Sequence, residues 1–290
     1  MSVSNIRKHY SVDPHLFLFQ IHILMNSKSV KIEKSLNFLI VSSGFNCGRY
    51  VNICFDSLQS QTYKNFDAVL ISDGSQDGTA QRLSSINGRN SRIICESFRD
   101  NLGAAKRRFD AIHKYAQDDE TVVLLLGLDD RLMPNALERI NQEYENGKWM
   151  TYGNWTNQFG IGLPDDFELE FDDMTHFHRN YRKVKYRSTA PNTFKKFLFD
   201  EFKEDEFKMK NGKWFDTTTE SHLMFSCLEM CGKEKIGIIK EPIYTYNQNL
   251  REGTLRRLGA RYKRDVLEEV MERPKKDKLE RNESRSRTLE

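Results

Sequence analysis

Asp129 and Asp130 stand directly after the aliphatic run Val122–Leu126 and the pair Gly127-Leu128. Two carboxylates just past a buried strand make a hard oxygen site for Mn2+ or Mg2+, which favour carboxylate, water and phosphate oxygens. A cation there would bridge a diphosphate and offset the charge of a leaving group. The same residues also fit a plainer role, capping a helix that opens near Pro134. A second polar stretch, Ser72-Asp73-Gly74-Ser75-Gln76-Asp77-Gly78-Thr79, combines glycines that permit tight turns with carboxylates able to accept from a base or ribose. It is equally the composition of an ordinary turn. His176 and His178 are spaced for one strand face and could bind metal, or decorate a loop. Trp155 and Trp214 could stack on a sugar ring, or pack. His222 could meet an acceptor, or sit half-buried on a helix. Tyr244 and Tyr246 share one strand face.

The elements that would position these residues alternate. Leu36–Val41, Phe66–Ile71, Arg92–Cys95 and Thr121–Leu126 read as short buried strands. Between them Tyr50–Gln61, Thr79–Ile86 and Leu102–Tyr115 carry helical spacing, and Pro134–Tyr144 follows as a helix. Such alternation predicts an α/β domain, a mostly parallel sheet with helices on both faces. In sheets of this kind ligands bind beyond the carboxyl ends of the strands. Here those ends are Ser-Ser-Gly, Asp-Gly-Ser and Leu-Asp-Asp. Further along, Trp149–Gly153 reads as a strand and residues 155–190 as loops over the site. Thr193–Phe199 and Glu220–Cys231 read as helices, and Ile236–Tyr246 as a strand pair or extended return. Residues 1–34 form an extension, 35–250 the domain, and 251–290 a charged helical tail fraying after Pro274.

With 290 residues, 38% hydrophobic and 11% aromatic, the chain can bury a sizeable core. Its net charge of +3 is too small to imply nucleic acid as a partner. The excess is local: residues 251–290 hold 13 Lys/Arg and 9 Asp/Glu, leaving −1 for residues 1–250. Five irregularly spaced cysteines without a CxxC suggest neither a disulfide framework nor a zinc site, and point to a reducing, cytoplasmic setting. The apolar run Leu16–Met25 is too short to span a bilayer. Arg256, Arg257, Arg261, Lys263 and Arg264 form a basic cluster that either contacts an anionic membrane surface or remains a solvated helix.

Taken together, Phe38–Asn46 (FLIVSSGFN), Tyr63–Thr79 (YKNFDAVLISDGSQDGT), Asn101–Arg108 (NLGAAKRR) and Leu124–Pro134 (LLLGLDDRLMP) resemble the inverting family 2 glycosyltransferases of the GT-A fold. Thr189–Lys195 (TAPNTFK), Thr219–Gly232 (TESHLMFSCLEMCG) and Tyr244–Asn247 (YTYN) resemble a subgroup from polysaccharide-building gene sets of bacteria and some viruses. The resemblance implies a metal-dependent hexosyl- or pentosyltransferase. Its donor would be a nucleoside-diphosphate sugar, a UDP-sugar above others, and its acceptor a hydroxyl of a glycan or lipid-linked molecule. It implies that Asp73 contacts the donor base, that Ser43, Phe45 and Leu128 line the nucleotide, and that Arg108 faces the diphosphate. It places Asp129, with Asp130 beside it, at the metal, Mn2+ or Mg2+. Glu220 stands where the family has its catalytic base, with Asp216 as competitor.

The sequence departs from that pattern at four places. Gly127 replaces the first Asp of the DxD motif, Ser72 the first Asp of DDGS, and Glu220 an Asp. The subgroup's Ser-His-Leu-Arg stretch reads Thr189-Ala190-Pro191-Asn192. Gly127 and Glu220 keep a second reading in view, a nucleotide-sugar-binding relative without turnover. A nucleotidyltransferase is a third, although Phe45-Asn46-Cys47-Gly48-Arg49 makes a poor version of its glycine-rich basic loop. Chemically, the leading reading is one in-line displacement with inversion at the anomeric carbon.

Overall fold

The computed structural model describes residues 36–248 and 259–281. The expected extension over residues 1–34, and Arg256 and Arg257 of the basic cluster, lie outside the described residues. Four parallel strands, β1 (Phe38–Gly44), β2 (Phe66–Asp73), β3 (Ile93–Phe98) and β4 (Val122–Gly127), form one half of a sheet. Helices α1 (Val51–Gln59), α2 (Thr79–Ile86) and α3 (Ala104–Tyr115) connect them. Next come β5 (Arg131–Leu132), α4 (Ala136–Glu145), β6 (Met150–Asn157), α5 (Asp173–His178), β7 (Asn192–Lys195) and α6 (Lys196–Phe199). The described chain closes with α7 (Thr219–Met230), β8 (Ile236–Tyr246) and α8 (Ala260–Met271). The eight strands run in the order β3-β2-β1-β4-β7-β6-β8-β5. β7 lies antiparallel to β4 and β6, and β5 antiparallel to β8, so the sheet is mixed.

Side chains alternate along a strand, so each central strand feeds two core layers. Phe38 and Ile40 of β1, Ala68 and Leu70 of β2, and Val122, Leu124 and Leu126 of β4 face α1, α2 and α4. Leu39 and Val41, Val69 and Ile71, and Val123 and Leu125 face α3 and α7. Helix α1 answers with Val51, Cys54, Phe55 and Leu58, the i, i+3, i+4, i+7 stripe of a half-buried helix.

Two expectations are corrected. Thr193–Phe199 is not a helix: Asn192–Lys195 is a strand and only Lys196–Phe199 turns helical. Thr193 pairs with Leu124 and Thr151, and the open flank of β4 outweighs local helical spacing. The tail does not fray directly after Pro274; through Arg281 it stays docked. Val266 and Val270 of α8 are buried, Leu279 N donates to Met230 O, and Arg281 reaches Asp119 and Glu120. Beneath this segment Arg182 donates to both oxygens of Glu229, to Ser226 Oγ and to Val270 O, joining α7 to α8 through a buried ion pair.

Candidate functional site

The carboxyl ends of β1, β2 and β4 and the amino end of α7 enclose a cleft of about 1240 Å³. Ser43, Phe45, Asp73, Arg108, Asp129, Asp130, Asp216 and Glu220 all line it. β1 and β4 pair in register from Phe38↔Val122 to Ser43↔Gly127, so their terminal loops open side by side. The first loop is held from the second: Gly48 N donates to Asp77 Oδ2 at 2.9 Å and Cys47 N to Thr79 Oγ1 at 2.9 Å. Burial opposes ionisation of Asp77, but the hydrogen bonds from Thr79 and Gly48 prevail and hold its carboxyl below the usual value.

Asp73 is 3% exposed and organises the loop beyond β2. Oδ1 accepts from Leu102 N at 3.1 Å and from Arg107 Nε at 2.6 Å, and Oδ2 accepts from Gly103 N at 2.8 Å. These bonds dock the Asn101–Gly103 turn, in which Gly103 adopts φ +89°. Carboxylates can accept about four bonds, so one acceptor position of Asp73 stays open. Ser43 Oγ is buried with no partner among the described residues. Leu128 is placed differently from the expectation: its side chain is fully buried against Gly44 and the α1 layer, and its backbone N donates to Ser43 O. It shapes the loop without facing the cleft.

At the end of β4, Asp129 and Asp130 converge over Gly127. A Cβ on Gly127 would lie 2.5 Å from Asp130 Oδ2 and 2.8 Å from Asp129 Oδ1. The missing first carboxylate of the motif is thus room taken by the other two. Asp130 is buried; Tyr244 Oη donates to Oδ2 and Asn247 N donates to Oδ1 at 2.7 Å. Burial, then the neighbouring Asp129 charge, push its carboxyl up to about 8. Asp129 is half-buried; burial raises its carboxyl too, and the Arg108 charge partly offsets this. Among the described residues no group of three or more His, Cys, Asp or Glu side chains converges as a metal cage.

Glu220 sits in the first turn of α7, its side chain 40% exposed to the cleft. Oε1 accepts from Arg108 Nη1 at 2.5 Å. Burial alone would raise its pKa; the Arg108 guanidinium overcomes this and holds the carboxyl below the usual value. Thr218, shortly before it, adopts φ +56°, a strained position for a β-branched residue, and its Oγ1 and that of Thr219 are buried without partners among the described residues. Strain of this kind clusters at functional sites, where the surrounding structure fixes it. Asp216, the competing candidate, accepts from Tyr262 Oη of α8 at 3.2 and 3.1 Å through its two oxygens.

The remaining singled-out residues divide cleanly. Trp155 and Tyr246 line the cleft as a tilted pair 5.5 Å apart, and Tyr244 lines it beside them. Trp214 packs on Phe109 and Phe207, outside the cleft wall. His176 and His178 lie on α5, not a strand, and His176 Nδ1 bonds Tyr181 Oη at 2.9 Å. His222 packs between Phe202, Phe207 and Phe215. Sequence reasoning missed Arg107, Tyr186, Tyr262 and Lys263. Arg107 adjoins Arg108 in the quoted NLGAAKRR stretch, which was the available signal. Lys263 was counted in a basic membrane cluster, yet it reaches the cleft wall.

Comparison with known proteins adds the following. The description "Glycosyl transferase family 2" matches residues 40–205. Glycosyltransferase GlyG of Streptococcus pneumoniae serotype 4 is 24% identical over 239 residues, 77% of this chain and 75% of GlyG. S. aureus TarS 1–349, solved in complex with UDP-GlcNAc, superposes with a TM-score of 0.54 at 18% identity, covering 75% of this chain and 60% of TarS 1–349. Mannosyltransferase PcManGT from Pyrobaculum calidifontis, solved with GDP-Man and Mn2+, gives a TM-score of 0.51 at 13% identity, covering 85% of this chain and 68% of that one. The chain thus spans little more than half the length of the TarS fragment. The fold is the GT-A fold.

Proposed function

We propose a division of labour for this cleft on one premise: the chain belongs to glycosyl transferase family 2. It is a glycosyltransferase that transfers from a nucleotide sugar. In our reading the strand ends hold the donor and Glu220 activates the acceptor. The carrying observation is that Asp129, at the end of β4, and Glu220, at the start of α7, face one cleft with Arg108 beside both.

The nucleoside would lie along Ser43 and Phe45, with the open acceptor position of Asp73 toward the base. A UDP-sugar is the proposed donor, since TarS was solved with UDP-GlcNAc. Arg108 would meet the diphosphate, a pairing that guanidinium geometry favours. Asp129, backed by Asp130, would hold Mn2+ or Mg2+. One or two carboxylates completed by phosphate and water oxygens suit these ions. When bound, the ion would supply Lewis-acid stabilisation of the departing diphosphate.

Glu220 removes the proton of an acceptor hydroxyl while that oxygen attacks the anomeric carbon. The bond from that carbon to the phosphate oxygen breaks, and the nucleoside diphosphate leaves with the electron pair. Attack opposite the leaving group inverts the configuration. Trp155 and Tyr246 present apolar ring faces suited to the acceptor, a glycan or a lipid-linked sugar. No helix among the described residues is long and apolar enough to cross a membrane. The five free thiols fit work in the cytoplasm, and Arg261 and Arg264 of α8 fit contact with an anionic membrane surface.

The test is thermal stability against a panel of nucleoside diphosphates and their sugars, with and without Mn2+. A ligand at about 100 times its Kd adds about 2.7 kcal/mol. Stabilisation by UDP that needs Mn2+ and disappears in Asp129→Ala supports the reading. Absence of stabilisation by every nucleotide refutes it.

A further inference from the structure

Arg108 faces two claims. Its Nη1 donates to Glu220 Oε1 at 2.5 Å, while its charge also acts on Asp129 at the donor end. The side chain is 6% exposed, and its Nε is buried without a partner among the described residues. A buried N–H left unbonded is costly, so this guanidinium is incompletely satisfied in the free enzyme. A diphosphate arriving at the cleft offers several anionic oxygens, against the single Glu220 oxygen it now holds.

We propose that donor binding hands Arg108 from Glu220 to the diphosphate, and that this handover frees the base. The inference rests on the donor and base roles given above, and adds an order of events. In the free enzyme one Glu220 oxygen is occupied by the guanidinium, so an acceptor hydroxyl finds it engaged. With donor present, Arg108 turns to the phosphates and Glu220 is left facing the acceptor. The groups around Glu220 favour the same direction. Besides Arg108, Lys263 of α8 is a cation acting on it. Asp130 from the end of β4, Tyr186 from the 184–190 segment and Tyr246 from β8 all feel its charge. Once the guanidinium leaves, burial dominates, and burial raises the proton affinity of a carboxylate. The base is armed only when there is a donor to attack.

Handover has a linkage signature that a static structural role lacks. Removing the Glu220 charge abolishes the competitor for Arg108, so Glu220→Gln binds UDP more tightly than the native chain, by about fivefold for a half-exposed, charge-assisted bond. The effect disappears when Arg108 is absent. Isothermal titration of UDP with Mn2+ into the native protein, E220Q, R108A and R108A/E220Q reads both statements, with thermal melts confirming that each variant folds. If R108A does not fold, R108K serves, with a smaller coupling expected.

Tightening in E220Q that is lost in the R108A background supports handover. Equal tightening in both backgrounds shows general repulsion and overturns it, as does unchanged or weaker UDP binding by E220Q. Loss of sugar transfer in E220Q without tighter UDP binding keeps Glu220 as the base and removes the handover alone. Failure of the native protein to bind any nucleoside diphosphate removes the donor reading, and the handover with it.

Discussion

His222 lies two residues past Glu220 yet contributes nothing polar to the cleft. It is 2% exposed, and neither ring nitrogen has a hydrogen-bond partner among the described residues. Phe202, Phe207 and Phe215 surround it with ring centroids 5.4–5.8 Å away. Burial, reinforced by the charges of Arg182, Arg273 and Lys276, lowers its pKa from 6.5 to about 3. The imidazole is therefore neutral in the folded protein across the physiological range, but titrates normally in the unfolded chain. Its folded pKa is depressed, so no penalty applies above pH 6.5, and stability is lost as pH falls from there toward 3. At pH 5 the unfolded chain gains about 1.5 pH units of proton binding that the folded chain does not, or about 2 kcal/mol. Replacing His222 with leucine, of similar size, removes this penalty and two orphaned nitrogens. His222→Leu should gain about 1–3 kcal/mol at pH 7 and about 2 kcal/mol more at pH 5. Urea unfolding of both proteins at pH 7 and pH 5 checks it. Carboxylates that titrate over the same range are common to both chains and cancel in the difference. A stability gap that stays constant between the two pH values would refute the neutral, caged imidazole. A leucine variant less stable at pH 7 would show that the ring fills its box better than an aliphatic chain.

Two further perturbations test the site's framework. Gly127→Ala places a Cβ 2.5 Å from Asp130 Oδ2 and 2.8 Å from Asp129 Oδ1, so both carboxylates must move. Stabilisation by UDP with Mn2+ should fall at least tenfold in affinity while the melting temperature of the free protein changes little; unchanged affinity would show that the two carboxylates do not set the donor end. Arg107→Ala leaves Asp73 as a buried charge with only backbone donors, and should cost about 3–5 kcal/mol. Chemical denaturation measures this, and a loss below about 1 kcal/mol would mean that the Asp73–Arg107 pair behaves like an exposed one.

The parts of this protein that were legible in sequence are those where one residue's environment is set by its own strand or helix. Val122–Leu126 reads as buried because five aliphatics in a row fit a strand covered on both faces. The polar residues after each such strand then converge because parallel strands end together. That Asp129 and Glu220 line one cleft followed from motif order for Asp129 and from the family resemblance alone for Glu220. Where the reading failed, partners distant in sequence decide the structure. Thr193–Lys195 became a strand because β4 and β6 needed a neighbour. Leu128 turned into the core because Gly44 leaves a space that its side chain fills.

The C-terminal segment shows the same effect most fully. Helix α8 buries only Val266 and Val270, too few apolar positions to distinguish a docked helix from a solvated one by periodicity. It is held instead by polar contacts whose partners lie far back in the chain: Tyr262 with Asp216, Arg182 with Val270 O, Lys276 N with Glu229, and Arg281 with Asp119. Charge patterning alone assigns such residues to solvent, since nothing local marks which charges are paired. Their consequence is functional. Arg182 and Glu229 tie α7 to α8, Tyr262 holds Asp216 at the cleft wall, and Lys263 adds a cation facing Glu220. The segment that looked most like an appendage thus shapes the position and the electrostatics of Glu220, the proposed base.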